Sequence, residues 1–449
     1  MRKLEAFPYH HVLVLGLARS GTAAAKTLLK NGKQVRVNDQ QLTTKSTVVQ
    51  DLVALGAEIV LGSHPLSVLE GIEIIVKNPG ISYDNPVLIE AVKRNIPIVT
   101  EIEIAYQLVP GTLIGITGSN GKTTTTTLTT KILKESKQQV KVAGNIGIVA
   151  TEVAESLTDD ETLVLELSSF QLQGTIDFRP NIAVILNIYQ AHLDYHKSLE
   201  NYKQAKYNIF RNQTEDDYLI YNADDSDITT AIADTRARRI PFSTTREVQN
   251  GAWSDGEAIY FLNEKIMDVE KIVLVGDHHL ENILAAICAA KLAGATNEGI
   301  ERVLTTFAGV EHRLQYVTNL QGRYFYNDSK ATNMLATEKA LASFKQPTIL
   351  LAGGLDRGDD LKGLIPHLKN VKGLVSFGET KEKFNEVAKQ AGIPHVLTAE
   401  NVEDAVQKGY GISEENDVIL LSPACASWDQ YRTFEERGDM FIQAVHKLL

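Results

Sequence analysis

Cysteine is almost absent: Cys288 and Cys425 are the only two in 449 residues. Two thiols cannot build a disulfide framework, and their scarcity fits a reducing compartment, with the cytoplasm as the default. No run of about eighteen apolar residues occurs, so no membrane span is expected. The short apolar stretch from Val12 to Ala18 leads into Arg19-Ser20-Gly21 and a helical pattern, with no small-residue cleavage site, so it does not read as a signal peptide. Positive charge is not in excess either. The net charge of −11 excludes a broad basic field for nucleic acid or an anionic membrane surface. An anionic ligand must therefore be held by local donors. There is no fixed-period repeat, and the only low-complexity tract is Thr123 to Thr127. No long exposed apolar stripe stands out, so a monomer is expected.

What is present is ordinary in bulk: 43% apolar and 22% charged residues. At roughly 150 residues per domain, the length suggests three domains. Strand-like runs alternate with helical patterns. HVLVLG (11–16), GTAAAKTLLKNG, QVRVND (34–39), EIIVKNPG (73–80) and NIPIVT (95–100) form a first series. A second starts at TLIGIT (112–117) and continues through TLVLELSSF, NIAVILNIYQAHLD and DYLIYNADD. A third, from near residue 311, holds RYFYNDS, PTILLAGG, GLVSFG and DVILLSPACAS. This alternation is that of βαβ units and parallel sheets. Short pieces between 238 and 276, with a turn at Asp255-Gly256, predict a small antiparallel patch. The expected architecture is α/β throughout: a Rossmann-like domain over 1–102, a central P-loop domain over 103–310, and a Rossmann-like C-terminal domain over 311–449. The alternative is one large doubly wound domain with insertions. Two fresh strand–glycine–helix starts favour three units.

The first glycine turn, Gly16-Leu17-Ala18-Arg19-Ser20-Gly21, follows a strand and opens a helix, and Asp39 ends the next strand. That is a dinucleotide-fold layout, with phosphate on the helix N-terminus and an acid at the second strand end. The middle glycine of G-x-G-x-x-G is missing, replaced by Ala18. A nucleoside-diphosphate ligand survives this change better than NAD does. A strand–helix turn without a ligand is an equal alternative.

The second turn reads Thr117-Gly118-Ser119-Asn120-Gly121-Lys122-Thr123. A standard Walker A requires glycine where Ile116 stands; here the early glycines are Gly115 and Gly118. The working parts remain. Gly118 and Gly121 permit positive φ, so that successive N–H groups face one anion. The following helix adds its positive end. Lys122 reaches β- and γ-phosphates, and the Thr123 hydroxyl reaches Mg²⁺. Gly-Lys-Thr at a strand-to-helix junction points to ATP or GTP rather than to an idle polar loop. The threonines beyond Thr123 are poor helix formers and read as packing or local hydrogen bonding.

Mg²⁺ requires hard oxygen ligands. Glu166 ends an apolar strand, where ligands gather in doubly wound sheets; the plainer reading is a buried acid paired with a base. His192, in QAHLDYH, reads as a metal ligand, an acid–base group or a structural histidine. Lys206, in YKQAKYNIF, reads as an ordinary helical lysine.

Taken together, GITGSNGKTT, GNIG, LELSSFQL, the His192 segment and Glu311-His312-Arg313 strongly resemble the Mur ligases, ATP-dependent amino-acid ligases of peptidoglycan precursor synthesis. The resemblance covers essentially the whole chain and explains the shifted Walker glycines. Asn327 to Asn333 and LLSPACASWDQYRTFEERG (420–438) resemble the member that adds D-glutamate to UDP-N-acetylmuramoyl-L-alanine. The resemblance implies ATP contacts at Gly118, Ser119, Asn120, Gly121, Lys122, Thr123, Thr124, His279, Asn282, Arg313 and Asp328. It implies two Mg²⁺ ions at Thr123, Glu166, His192 and Lys206, with Lys206 N-carboxylated, and catalytic roles for Lys122, His192 and Lys206. The UDP-sugar substrate would meet Leu17, Ala18, Arg19, Asp39, Asn78, Gly80, Asn145 and Gln171. D-glutamate would meet Lys330, Thr332, Arg357, Ser427 and Phe434. Three other classes compete. They are a P-loop motor or regulatory ATPase, a nicotinamide oxidoreductase and a non-catalytic nucleotide-binding regulator.

Overall fold

The computed structural model describes residues 3–274 and 277–448, with Asp277 and His278 described by backbone alone. Its first sheet has five parallel strands: β1 (His11–Leu15), β2 (Gln34–Asp39), β3 (Glu58–Leu61), β4 (Ile74–Lys77) and β5 (Ile98–Val99), in the order β3-β2-β1-β4-β5. That order belongs to doubly wound sheets. Val12 to Leu15 and Ile74 to Lys77 are buried on both faces, which is why they read as unbroken apolar runs.

The second sheet holds β6 (Leu113–Thr117), β7 (Val140–Gly144), β8 (Thr162–Glu166), β9 (Ile182–Ile185), β10 (Tyr218–Asn222), β11 (Arg238–Ser243), β12 (Ala252–Ser254), β13 (Ala258–Phe261) and β14 (Glu264–Asp268). Their order is β14-β13-β12-β11-β10-β9-β6-β8-β7. Strand β6 lies between β8 and β9, with Ile116 beside Glu166 and Thr117 beside Ile185. Three strand ends thus meet at one edge of the sheet. The antiparallel patch is narrower than expected, because β11 still pairs parallel to β10 and β12. Only β12, β13 and β14 alternate in direction. Asp255 starts the reversal: its carboxylate accepts from the amides of Glu257 and Ala258, and Gly256 takes φ +91°.

The third sheet holds β15 (Gln315–Leu320), β16 (Arg323–Asn327), β17 (Thr348–Gly353), β18 (Val371–Phe377), β19 (His395–Thr398) and β20 (Val418–Leu421), in the order β15-β16-β20-β17-β18-β19. Only β15 runs antiparallel to its neighbour.

The chain divides into two compact units: Met1–Lys271 with Leu280–Thr305, and Ile272–His279 with Thr306–Leu449. The first two sheets share a unit and one continuous apolar core, in which Val14 and Val76 belong to the same cluster as Leu165 and Ile185, and polar contacts join them as well. The Glu101 carboxylate accepts from the Thr151 amide at 2.5 Å, Thr27 donates to Glu155 at 2.6 Å, and Thr100 donates to the Gln171 carbonyl at 2.7 Å. No described helix is long and apolar enough to cross a membrane.

The threonine run also finds its reason here. The helix Lys122–Glu135 buries Thr123, Thr124, Thr125, Thr126, Thr129 and Thr130. It is covered by β6, β7 and β8 and by the helix Asn297–Leu304. A helix covered on most sides requires small side chains, and threonine fills these sites at some loss of helix propensity.

Candidate active site

The loop between β6 and the helix at Lys122 is shaped by close approach. Gly121 takes φ +82° and ψ −13°. A methyl group there would stand 1.9 Å from Asn282 Oδ1. Gly118 corrects the expectation of two positive-φ glycines, since only Gly121 has positive φ. Gly118 is needed for space, because a methyl group would come 2.9 Å from Leu186 Cβ. The loop is held by the segment just past its neighbour β9: Ser119 N–H donates to the Asn187 carbonyl at 2.9 Å and Asn120 N–H to Asn187 Oδ1 at 2.9 Å. Ser119 Oγ pairs with the Tyr202 hydroxyl at 2.9 Å. Lys122 Nζ lies 2.9 Å from the Gly118 carbonyl and 3.0 Å from that of Ser119. Thr123 and Thr124 are buried in the first helical turn. Substituting Gly121→Ala adds about 1–2 kcal/mol of left-handed strain and displaces Asn282. The expected result is at least a tenfold rise in the KM for ATP, of order 1.4 kcal/mol, read from initial rates.

Glu166 ends β8 with 1% exposure. Its Oε1 accepts from Asn145 Nδ2 at 2.9 Å, while Oε2 is buried with no hydrogen-bond partner. Among the described residues Glu166 makes no ion pair, so the paired-acid alternative does not describe it. Lys206, also 1% exposed, sends Nζ to the Gly118 carbonyl at 2.7 Å and lies 4.8 Å over the Tyr202 ring. Burial, with the like charge of Lys122 added, pulls the Lys206 amine well below its ordinary pKa; Glu166 opposes this. His192 takes φ 54° before the short helix Leu193–His196 and packs edge-on against Phe170 at 4.9 Å. Burial, then Lys122 and Lys206, lower its pKa, so the neutral imidazole with a free lone pair is favoured. Among the described residues, no three His, Cys, Asp or Glu side chains group closely enough to hold a metal ion.

Two sequence candidates are engaged locally. Asn145 braces Glu166, and Gln171 closes a capping box, its Oε1 accepting from Ser168 N at 3.0 Å and Ser168 Oγ at 2.9 Å. At the first sheet, Gly16 takes φ +87°, and Leu17 N–H donates to Asp39 Oδ2 at 2.8 Å. Burial works to raise the Asp39 carboxyl. Amides from Leu17, Leu42 and Gln41, with His64, outweigh it and leave the pKa lowered. Arg19, past Ala18, donates to the Gly147 carbonyl at 2.7 Å. Asn78 Oδ1 accepts from Gly80 N–H at 3.3 Å, and its Nδ2 is buried without a partner.

The second unit makes its own cluster. Asp328 is 5% exposed; it accepts from Leu314 N–H at 3.1 Å and Ser422 Oγ at 3.0 Å. Burial raises its carboxyl to about 7 against those donors and Arg313. Lys330 Nζ sits 5.5 Å over the Phe434 ring, and Thr332 N–H donates to the Lys330 carbonyl at 2.9 Å. Ser427 is buried, and its carbonyl accepts from Tyr431 N–H at 2.8 Å. Arg313 and Arg357 are exposed, and Arg357 stacks on Trp428 at 4.9 Å. His279 is buried in this unit; Asn282 belongs to the other, against Gly121.

The raised Asp328 pKa has a sign. Unfolded, the carboxyl titrates near its usual value of about 3.9. Between there and about 7 the folded chain binds more protons, so this group lowers stability as pH rises. Asp328→Asn is expected to remove a slope approaching about 1.4 kcal/mol per pH unit across that window, seen in the wild-type-minus-variant difference from urea unfolding.

Four residues escaped the sequence. Lys77 is fully buried at the end of β4. Tyr195 hydrogen-bonds the carbonyls of Pro79 and Ile81. His196 meets Ser169 Oγ at 2.9 Å, and burial lowers it to about 4. Arg437, fully buried, donates to the carbonyls of Ser329, Gly353 and Cys425 and to Ser329 Oγ, tying three loops of the second unit together.

Three family models match the chain: a Mur ligase MurD-like N-terminal domain over 10–100, a Mur ligase middle domain over 116–290, and a Mur ligase glutamate ligase domain over 312–425. The UDP-N-acetylmuramoylalanine--D-glutamate ligase of Oceanobacillus iheyensis is 58% identical over 448 residues, covering 100% of both chains. Its namesake in Bacillus pumilus is 55% identical over 450 residues, again with 100% of both covered. Among solved structures, UDP-N-acetylmuramate-alanine ligase MurC of Thermotoga maritima matches with TM-score 0.56 and 19% identity, over 98% of this chain and 100% of that one. MurF ligase of Thermotoga maritima, in complex with ADP, matches with TM-score 0.56 and 18% identity, over 100% and 98%. At such low identity these two speak for the fold alone.

Proposed function

The chain belongs to the Mur ligase family, and from that premise we infer that it joins D-glutamate to UDP-N-acetylmuramoyl-L-alanine with ATP as co-substrate. Full-length identity of 58% to a curated ligase of that name is the observation that carries this reading. The reaction belongs to peptidoglycan precursor synthesis, and we assign the chain to the cytoplasm as a monomer. We keep the domain boundaries near 102 and 310.

The alanine carboxylate is a poor electrophile. Transfer of the ATP γ-phosphoryl group to one of its oxygens makes an acyl phosphate. The D-glutamate amine then attacks the acyl carbon, and phosphate leaves through a tetrahedral intermediate. In this reading the Gly118 to Thr124 loop and Lys122 hold the phosphates and offset the charge that develops on them. Asn282 lies against the loop where the adenine would pass. Asn78, with its unpartnered amide nitrogen, offers a donor at the UDP-sugar site beside Leu17, Ala18, Arg19, Asp39 and Gly80. Lys330, Thr332, Arg357, Ser427 and Phe434 form the D-glutamate pocket, and Arg313, Asp328 and His279 serve ATP.

The residues fit Mg²⁺. Glu166 Oε2 is a buried carboxylate oxygen with nothing to accept from, and the neutral imidazole favoured at His192 carries a lone pair. Two such ligands need oxygen partners, which Thr123 and a carboxylated Lys206 supply. A neutral Lys206 amine attacks the carbon of CO₂ and loses one N–H proton to solvent, leaving an anionic carbamate. Bound there, Mg²⁺ would neutralise phosphate charge and polarise the transferring group.

The test is phosphate release from ATP with Mg²⁺, UDP-N-acetylmuramoyl-L-alanine and D-glutamate, omitting each in turn. Release is expected only with all four. Release without D-glutamate overturns the reading in favour of a plain ATPase, and equal release with L-glutamate overturns the stereochemistry.

A further inference from the structure

Lys77 is a fully buried lysine with no carboxylate at ion-pair distance among the described residues. Its Nζ donates to the carbonyls of Asn78 at 3.3 Å and Pro79 at 3.1 Å and to the Tyr195 hydroxyl at 3.0 Å. Three acceptors match the three hydrogens of an ammonium. The Tyr195 hydroxyl, accepting from Lys77, keeps its own hydrogen for the Ile81 carbonyl at 3.0 Å. The rings of Tyr83 and Tyr195 flank the amine at 5.1 and 5.8 Å. Burial lowers its pKa to about 7, so the site works against the very charge that its acceptors suit. An apolar residue would close the end of β4 without this conflict, so packing alone does not account for a lysine.

The two sides it joins are both parts of the site. Asn78, Pro79 and Gly80 form the loop assigned to the UDP-sugar. Tyr195 lies three residues after His192, and its ring meets Phe170 edge-on at 4.6 Å, which in turn meets His192 at 4.9 Å. We propose that Lys77 is a positioning residue: it clamps the Asn78–Gly80 loop to Tyr195, so that the UDP-sugar loop and His192 are held in one register. This rests on the functional reading above, in which that loop meets the UDP-sugar and His192 serves the metal.

The experiment is steady-state kinetics of the full chain as wild type, Lys77→Met, Tyr195→Phe and the double variant, varying each substrate. Lys77→Met is expected to raise the KM for UDP-N-acetylmuramoyl-L-alanine about tenfold and lower kcat, with the KM for D-glutamate within about twofold of wild type. Tyr195→Phe keeps the ring, loses the hydroxyl and is expected to act in the same direction. The double variant should be no worse than Lys77→Met alone. A merely structural lysine would lower thermal stability and leave the KM pattern unchanged, and that result overturns the proposal. Additive effects overturn it too. If Lys77→Met does not fold, Tyr195→Phe decides: an unchanged KM for the UDP substrate overturns the clamp. Failure of the wild type to need D-glutamate overturns the functional reading and this inference with it; unchanged variants of a D-glutamate-dependent enzyme overturn this inference alone.

Discussion

Lys206→Ala is expected to lower kcat by about a thousandfold or more, and a short carboxylic acid such as formate or acetate to restore part of the loss. The argument starts from the amine. Lys206 is 1% exposed, has no carboxylate at ion-pair distance among the described residues, and shares its surroundings with Lys122. Holding a second ammonium there works against both burial and like charge, with Glu166 opposing, so the neutral, nucleophilic amine is more accessible than in an exposed lysine. Glu166, with an unpartnered carboxylate oxygen, belongs to the same group of interacting charges. A neutral amine beside an incomplete oxygen-ligand set is the setting in which a carbamate makes chemical sense. Rescue separates this role from packing. Lys206→Met keeps most of the side-chain volume and should be as inactive as Lys206→Ala. The alanine variant alone leaves room for an added carboxylate. Full activity of the unrescued variants would remove Lys206 from the mechanism.

The contrast between Lys122 and Lys206 shows what kind of signal a sequence carries. Lys122 is legible because its meaning is local: a strand, a glycine turn and Gly-Lys-Thr are contiguous. The sheet architecture was legible for the same reason, since apolar runs alternate with helical stretches along the chain. Lys206 sits in YKQAKYNIF, where nothing local separates a buried amine from a solvated one. Its burial comes from the Gly118 carbonyl arriving through the fold, while Tyr202 lies one turn earlier on the same helix. Arg437, in FEERGDM, is hidden in the same way among charges that face water. Lys77 did leave a trace: a lysine closing the apolar run EIIVK, in a strand whose neighbours bury both faces. The threonine run was unreadable because helix propensity argues against it. Only the elements packed around that helix explain the choice.

Glu166→Gln is expected to lower kcat by about 10²–10³ while thermal stability stays level or rises. The two directions are tied to the same oxygen. Glu166 Oε1 is satisfied by Asn145 Nδ2, and a glutamine can keep that bond with its amide oxygen. Oε2 is buried and unpartnered, which is unfavourable for an anion in the folded chain. Replacing it with an amide nitrogen removes the buried charge, which offsets the lost attraction to Lys206 and the unpaired amide hydrogens. The nitrogen cannot donate a lone pair to a hard cation, so the proposed Mg²⁺ site would lose the unshared carboxylate oxygen at this strand end. The Mg²⁺ concentration giving half-maximal activity should therefore rise together with the fall in kcat. A carboxylate kept for structure predicts the reverse, with melting temperature falling and activity persisting below it. Scanning calorimetry and a Mg²⁺ titration of initial rates decide between the two. A variant that melts early but turns over normally would dismiss Glu166 as a metal ligand.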